Sequence, residues 1–321
     1  MGSSSQTLPA QIPDTPLEPE LAEFLSSIRQ KVLQRAGSMP GIDALRQASR
    51  DARLCWSLSG PALTSSQSNE FGMLTRMYSP PEAEPDRLLI YLHGGGWAML
   101  DLDTHDRLMR AYALRAKWNI IALDYPLAPE TRFPQSLTAC ASTVERIIES
   151  VKTAGLSPGN IVLGGDSSGA NLALSVELDR QSRGEKPLGG LLLNYGVYDS
   201  DMSRASYRRF VGSPYLLSAE RMEFFWSQYC STLQSREDPR AAPLRTDPAL
   251  LAKLPPVHLT IAAQDVLVDE NLLFSDKLNA AGVSVTRQIY AEAAHAFLEA
   301  VDCSPVADRA IANGVNWLGR L

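Results

Sequence analysis

The chain has 321 residues, 45% hydrophobic, 21% charged and 7% aromatic, with 30 Lys and Arg against 36 Asp and Glu for a net charge of −6. That length suits two ordinary domains or one large α/β domain, and it can bury a core without metal or disulfide support. The acidic balance argues against a nucleic-acid footprint or an anionic-membrane surface, and no apolar run is long enough to span a bilayer.

Residues 1–17 are rich in Pro, Ser and Gln and read as a disordered arm. They have neither the basic nor the apolar region of a signal peptide, and Gln6 breaks the myristoylation pattern. Cys55, Cys140, Cys230 and Cys303 are far apart, which suits free thiols in a reducing compartment. A cytoplasmic location is therefore expected. The segment "EPELAEFLSSIRQKVLQRA" spaces Leu21, Phe24, Leu25, Ile28, Val32 and Leu33 as the apolar stripe of a helix over 18–36. Residues 37–68 are punctuated by Gly, Ser and Pro, with one apolar group around Leu54–Trp56 and Leu58. No internal repeat is visible.

From residue 69 strands alternate with helices. "RLLIYLH", "NIIALDY", "NIVLGGD", "GLLLNYG", "VHLTIAAQD" and "SVTRQIYA" are short apolar strands of the kind covered on both faces. Helical segments begin at Thr104, Gln135, Ser168 and Asn271, and a closing helix begins at Pro305. The pattern predicts an α/β fold, a mostly parallel, doubly wound sheet with active groups at the carboxyl ends of its strands. The connection between "GLLLNYG" and "VHLTIAAQD" is far longer than an ordinary crossover. It reads either as a surface excursion or as a helical lid. The aromatic-dense "SAERMEFFWSQYC" favours the lid, because such a helix needs something to cover. The expected division is a cap built from 18–68 and 197–240 over a catalytic domain of 69–196 and 241–321.

Chemistry gathers at the strand ends. "GGDSSGAN" fits G-x-S-x-G at a strand-to-helix turn, and only Ser167 has glycines (Gly165 and Gly169) at both close-approach positions. Ser167 is the candidate nucleophile, and Ser168 offers its backbone N–H. The glycines of "HGGGW" lack a phosphate-loop ending. They suit a loop whose Gly94 and Gly95 amides, with that of Ser168, point at a developing oxyanion. His93 reads as an anchor for that loop.

A base must take the serine proton. His258 begins a strand and reads as core, and His105 lies at a helix start among capping residues. His295 follows the last strand on the same sheet edge as Ser167. Asp265, at a strand end, is the preferred partner for it, with Asp269 as the fallback. No His, Cys or carboxylate grouping has metal-ligand spacing, and no cofactor is expected.

In one chain and in this order, "HGGGW", "DYPLAPE", "GGDSSGAN", "DVLVDE" and "HAF" resemble the hormone-sensitive lipase-like family of α/β-hydrolases, over about residues 70–321. The resemblance implies an α/β-hydrolase fold with a helical cap. It also implies a serine carboxylesterase for short- to medium-chain esters that works through an acyl-enzyme. The family's nucleophile, acid and base fall on Ser167, Asp265 and His295, and its oxyanion donors on Gly94, Gly95 and Ser168. Its lid combines an N-terminal helix with an insertion after the sixth strand, which suggests Trp97, Phe24, Phe225 and Trp226 as pocket residues. Ser168 stands where the family often has alanine. An amidase or lactonase with the same triad stays open, as does a non-catalytic small-molecule receptor, although the presence of His295 disfavours the latter. The expected partner is a small-molecule ester, with no nucleic acid and no stable membrane insertion; a homodimer is left open.

Overall fold

All six apolar segments form strands of one eight-stranded sheet in the computed structural model, which describes residues 15–37, 41–212 and 214–321. Of the expected N-terminal arm, residues 1–14 lie outside the described part. The chain begins with helices α1 (Pro19–Ala36) and α2 (Ile42–Ser57), followed by strands β1 (Ser65–Ser68), β2 (Thr75–Tyr78) and β3 (Glu84–Leu92). Next come α3 (Asp106–Ala116), β4 (Trp118–Leu123), α4 (Gln135–Thr153), β5 (Ile161–Asp166), α5 (Ser168–Ser182) and β6 (Gly190–Asn194). The long connection contains α6 (Ala205–Arg209), α7 (Ala219–Tyr229) and α8 (Pro248–Leu251). The chain closes with β7 (Val257–Gln264), α9 (Val268–Ala280), β8 (Val285–Ala294) and α10 (Pro305–Leu318).

The strand order is β1-β2-β4-β3-β5-β6-β7-β8. From β4 to β8 every pairing is parallel, while β1 and β2 add an antiparallel edge. Side chains alternate across each strand, so the apolar runs feed two cores. In β3, Leu88, Ile90 and Leu92 join one core, and Leu89 and Tyr91 the other. Helices α4, α5 and α9 cover the first face; α3 and α10 cover the second. This is an α/β-hydrolase fold with a helical cap region.

Three elements go beyond the sequence reading. The Gly-, Ser- and Pro-punctuated segment after residue 37 contains α2, and the sheet has the extra strands β1 and β2. Few large apolar residues mark α2: its buried face is Leu45, Ala48, Ser49, Ala52 and Arg53, and arginines beside that face anchor it. Arg46 donates to the Ala98 and Ala128 carbonyls, both at 2.7 Å, and pairs with Glu130 at 2.6 Å. Arg50 pairs with Asp101 at 2.7 Å and with Asp103, and Arg53 with Glu299 at 2.6 Å. These contacts fasten α2 to the loop that follows the glycine run, to the segment after β4 and to the turn beyond His295. The four cysteines form no disulfide. Among the described residues, no helix is long and apolar enough to cross a membrane.

Candidate active site

The turn after β5 is held by backbone contacts that exclude side chains. A Cβ on Gly165 would overlap the Gly169 carbonyl, and one on Gly169 would overlap the Leu92 carbonyl oxygen. Between them Ser167 adopts φ 53°, ψ −121°, a strained conformation that lifts its hydroxyl off the strand end. The Ser167 amide donates to Asn194 O at 2.9 Å, and its carbonyl accepts from the Asn171 amide at 3.2 Å. The surrounding fold thus over-determines the strained turn.

Residues 128 positions apart in the chain meet there. His295 Nε2 lies 2.9 Å from Ser167 Oγ, and His295 Nδ1 lies 2.6 Å from Asp265 Oδ2. Asp265 is 3% exposed, and its other oxygen accepts the Leu267 amide at 3.0 Å, which fixes the carboxylate against the imidazole. The fallback acid, Asp269, faces elsewhere: its carboxylate accepts the Ser206 amide at 2.9 Å, at the start of α6. An unbroken relay from hydroxyl to imidazole to carboxylate can raise a nucleophile and return its proton.

The glycine loop after β3 requires a correction. The Gly94 amide is not free to meet an oxyanion, because it donates to Asp166 Oδ1 at 3.1 Å. Gly94 is also absent from the cavity wall, where Gly95 and Gly96 stand beside Ser167. Among the described residues, the amides of Gly95, Gly96 and Ser168 donate to no protein acceptor. Ser168 is fully buried, its hydroxyl next to Tyr125.

Asp166 had no assigned role in the sequence, yet it organises this loop. It also accepts from Tyr91 Oη at 3.1 Å and faces His105 Nε2 at 3.4 Å. Burial alone would raise its carboxyl, but His105, Tyr91 and the nearby His93 outweigh burial and hold it below the ordinary range. For His105, burial lowers and Asp166 raises, with a net rise. His93 goes the other way: burial, helped by His105, lowers it to about 4. The neutral His93 ring stacks on Tyr125 at 4.4 Å, and its Nδ1–H donates to Gly94 O at 2.7 Å, so it does anchor the loop. His258 is core, lowered to about 4 by burial and packed near Trp317.

Ser167 opens into a cavity of about 400 Å³. Its walls take Ile28, Val32 and Leu33 from α1, Leu45 from α2, and Met222 and Phe225 from α7. Trp97 lines it too, stacked on Tyr229 at 4.3 Å and donating from Nε1 to Asn171 at 3.2 Å. The Phe225 ring lies so close over Gly96 that a Cβ there would overlap it. Two suggested pocket residues stand behind the wall instead. Phe24 packs edge-on against Trp56 at 5.4 Å, and Trp226 is fully buried beneath Trp97 at 4.8 Å. Among the described residues, no group of three or more His, Cys, Asp or Glu is arranged to hold a metal ion.

Comparison with known proteins bears on the fold and the family. A family model described as the alpha/beta hydrolase fold matches residues 89–299. The chain is 33% identical over 228 residues to an ethyl acetate hydrolase of Pseudomonas putida, covering 70% of each chain. It is 31% identical over 283 residues to an acetyl esterase of Salmonella typhi, covering 86% of each. Among solved structures it is similar to a thermostable esterase from Pseudomonas putida ECU1011, with a TM-score of 0.81 and 27% identity over 95% of this chain and 98% of that one.

Proposed function

Because the chain belongs to the hormone-sensitive lipase-like esterases of the α/β-hydrolase fold and is a carboxylic-ester hydrolase, we propose that it cleaves short- to medium-chain esters through an acyl-enzyme on Ser167. His295 Nε2 takes the Ser167 proton as Oγ attacks the ester carbonyl. Asp265 stabilises the imidazolium and keeps Nδ1 protonated toward itself. The tetrahedral oxyanion receives the amides of Gly95, Gly96 and Ser168. Each such donor is worth about two to three orders of magnitude in rate. The intermediate collapses, the alcohol leaves with the proton from His295, and water repeats the cycle on the acyl-enzyme.

The observation that carries this reading is the continuous contact from Ser167 Oγ to His295 to Asp265, at 2.9 and 2.6 Å. Relatives named for ethyl acetate and acetyl esters support small acyl groups. The wall residues from α1, α2 and α7 support a cap formed by 18–68 and 197–240, which would exclude water and strengthen the oxyanion contacts.

The test is covalent. An organophosphonate is expected to add once, at Ser167 by peptide mass mapping, in an enzyme that turns over aryl acetates and butyrates faster than the matched amides. Adduct at Ser168, or none in an active preparation, overturns the assignment.

A further inference from the structure

Three of the six charges on the cavity wall are already matched. Arg53 is paired with Glu299 at 2.6 Å, and Asp166 is compensated by His105 and its hydrogen bonds. Two guanidinium groups are not. Arg29 of α1 and Arg221 of α7 both line the cavity, both are half-buried, and neither has a carboxylate partner among the described residues. They face the same space closely enough that Arg29 and Arg53 repel the charge on Arg221; burial and then this repulsion lower its pKa. A guanidinium nonetheless stays protonated in proteins. Arg221 is also the third residue of α7, where the helix dipole disfavours a cation.

Arginine is seldom withdrawn from water without an anion to meet it. Glu220 of α7 is exposed and pairs with neither, so both guanidinium groups stand beside the apolar surface of Val32, Leu33, Leu217 and Phe225. A cavity with a nucleophile on one wall, a hydrocarbon lining and a forked cation on another matches a definite class of molecule.

We propose that Arg221 and Arg29 bind a carboxylate carried by the substrate, so that the preferred ester is a monoanion whose carboxylate is separated from the scissile bond by a short hydrocarbon chain. This rests on the esterase reading above. The carboxylate can sit on the acyl side, as in a monoester of a dicarboxylic acid, or on the alcohol side, as in an acylated hydroxy acid. Two guanidinium forks on the wall of one cavity can each donate in parallel to a carboxylate. Binding would relieve the repulsion between them and draw α1 and α7 together over Ser167.

Matched pairs isolate the charge. Monoethyl adipate against ethyl hexanoate tests the acyl side, and acetylated ω-hydroxyhexanoate against hexyl acetate tests the alcohol side. In at least one pair the anionic ester is expected to exceed its neutral partner in kcat/KM by about tenfold or more, the scale of a charged hydrogen bond. In Arg221→Gln that ratio is expected to fall to near one, and in Arg29→Gln to fall part of the way. Binding is measured separately by calorimetry on the Ser167→Ala protein. Monoethyl adipate or the acetylated hydroxy acid should bind tighter than its neutral counterpart, and added Arg221→Gln should remove the difference. No anionic preference in either pair or in binding overturns the inference, as does a preference that survives Arg221→Gln. Failure to hydrolyse any neutral ester would sink the esterase reading instead, and the binding measurement still decides the anion site.

Discussion

Asp265 and Asp269 lie four positions apart, and either could serve a histidine beyond the last strand. Their surroundings separate them. Asp265 is spent on His295 and the Leu267 amide, whereas Asp269 is spent on the Ser206 amide across the cap. Asp265→Asn is therefore expected to lower kcat/KM by about four orders of magnitude, since the amide favours the wrong imidazole tautomer. Asp269→Asn keeps an acceptor for Ser206 and should stay within several-fold of wild type. Steady-state kinetics on an aryl acetate checks the order, and equal losses would contradict it. The same scale explains the register error in the glycine run. Three consecutive glycines are chemically identical in sequence, and only the contact between Gly94 and a distant Asp166 shows which amide is already committed. Ser167 was legible because its flanking glycines distinguish it from Ser168. Arg29 and Arg221 were not, because an unpaired charge is visible only once every neighbour has been placed.

Helices and strands were legible where they bury apolar side chains and obscure where they do not. The six parallel strands and α3, α4, α5, α9 and α10 carry runs or stripes that feed the two cores. By contrast, α2 docks through Arg46, Arg50 and Arg53, a pattern that resembles a solvated face until their acceptors are known. Strand β1 is the mostly exposed "SSQS", and β2 is four residues long, so neither has a hydrophobic signature. Helix α1 is the opposite case, because its stripe serves three surfaces. Leu21 and Leu25 enter one core, Ile28 and Val32 the other, and Ile28, Val32 and Leu33 also reach the cavity. Just before it, Glu18 accepts the Val306 amide at 2.9 Å and the Ser304 hydroxyl, at the start of α10. Deleting residues 1–36 thus removes part of the pocket and a helix cap together. The truncated protein is expected to melt at lower temperature, with KM raised several-fold and a shifted acyl-length profile. An unchanged profile across acetate, butyrate and hexanoate esters would show that α1 does not shape the pocket.

Across the whole molecule, the cap and the catalytic sheet are joined at a buried carboxyl. Glu270 of α9 is fully buried, and its Oε1 accepts the amides of Tyr198 at 2.7 Å and Asp199 at 3.3 Å, where the chain leaves β6 for the cap. Its Oε2 lies 3.4 Å from the Tyr207 hydroxyl of α6. Burial pushes the Glu270 carboxyl up to about 8, against the pull of the Tyr198 amide, and the neighbouring Asp199 adds to the rise. At that value the carboxyl keeps its proton near neutral pH, while Oε1 accepts both amides and Oε2 accepts from the Tyr207 hydroxyl. The sign of the linkage follows. Between the ordinary glutamate range near pH 4.5 and pH 8 the folded protein holds a proton that the unfolded chain releases. Stability from this group is fully present below that range and is lost as pH rises toward 8. Asp124, pushed up to about 6 mainly by burial, acts in the same direction, while Glu130, lowered to about 2 chiefly by its hydrogen bond with Arg46, acts in the opposite one. The net pH profile of the wild type mixes these contributions, so the informative quantity is a difference between two proteins. Glu270→Gln preserves an acceptor for the two amides and, once the Tyr207 hydroxyl turns to accept from its Nε2, a partner for Tyr207, but it cannot ionise. Urea unfolding at several pH values from 5 to 8 is expected to show a smaller loss of stability with rising pH in the variant than in the wild type. Parallel curves would mean that Glu270 is ionised in the fold, with its charge carried by the two amides and the nearby Arg204.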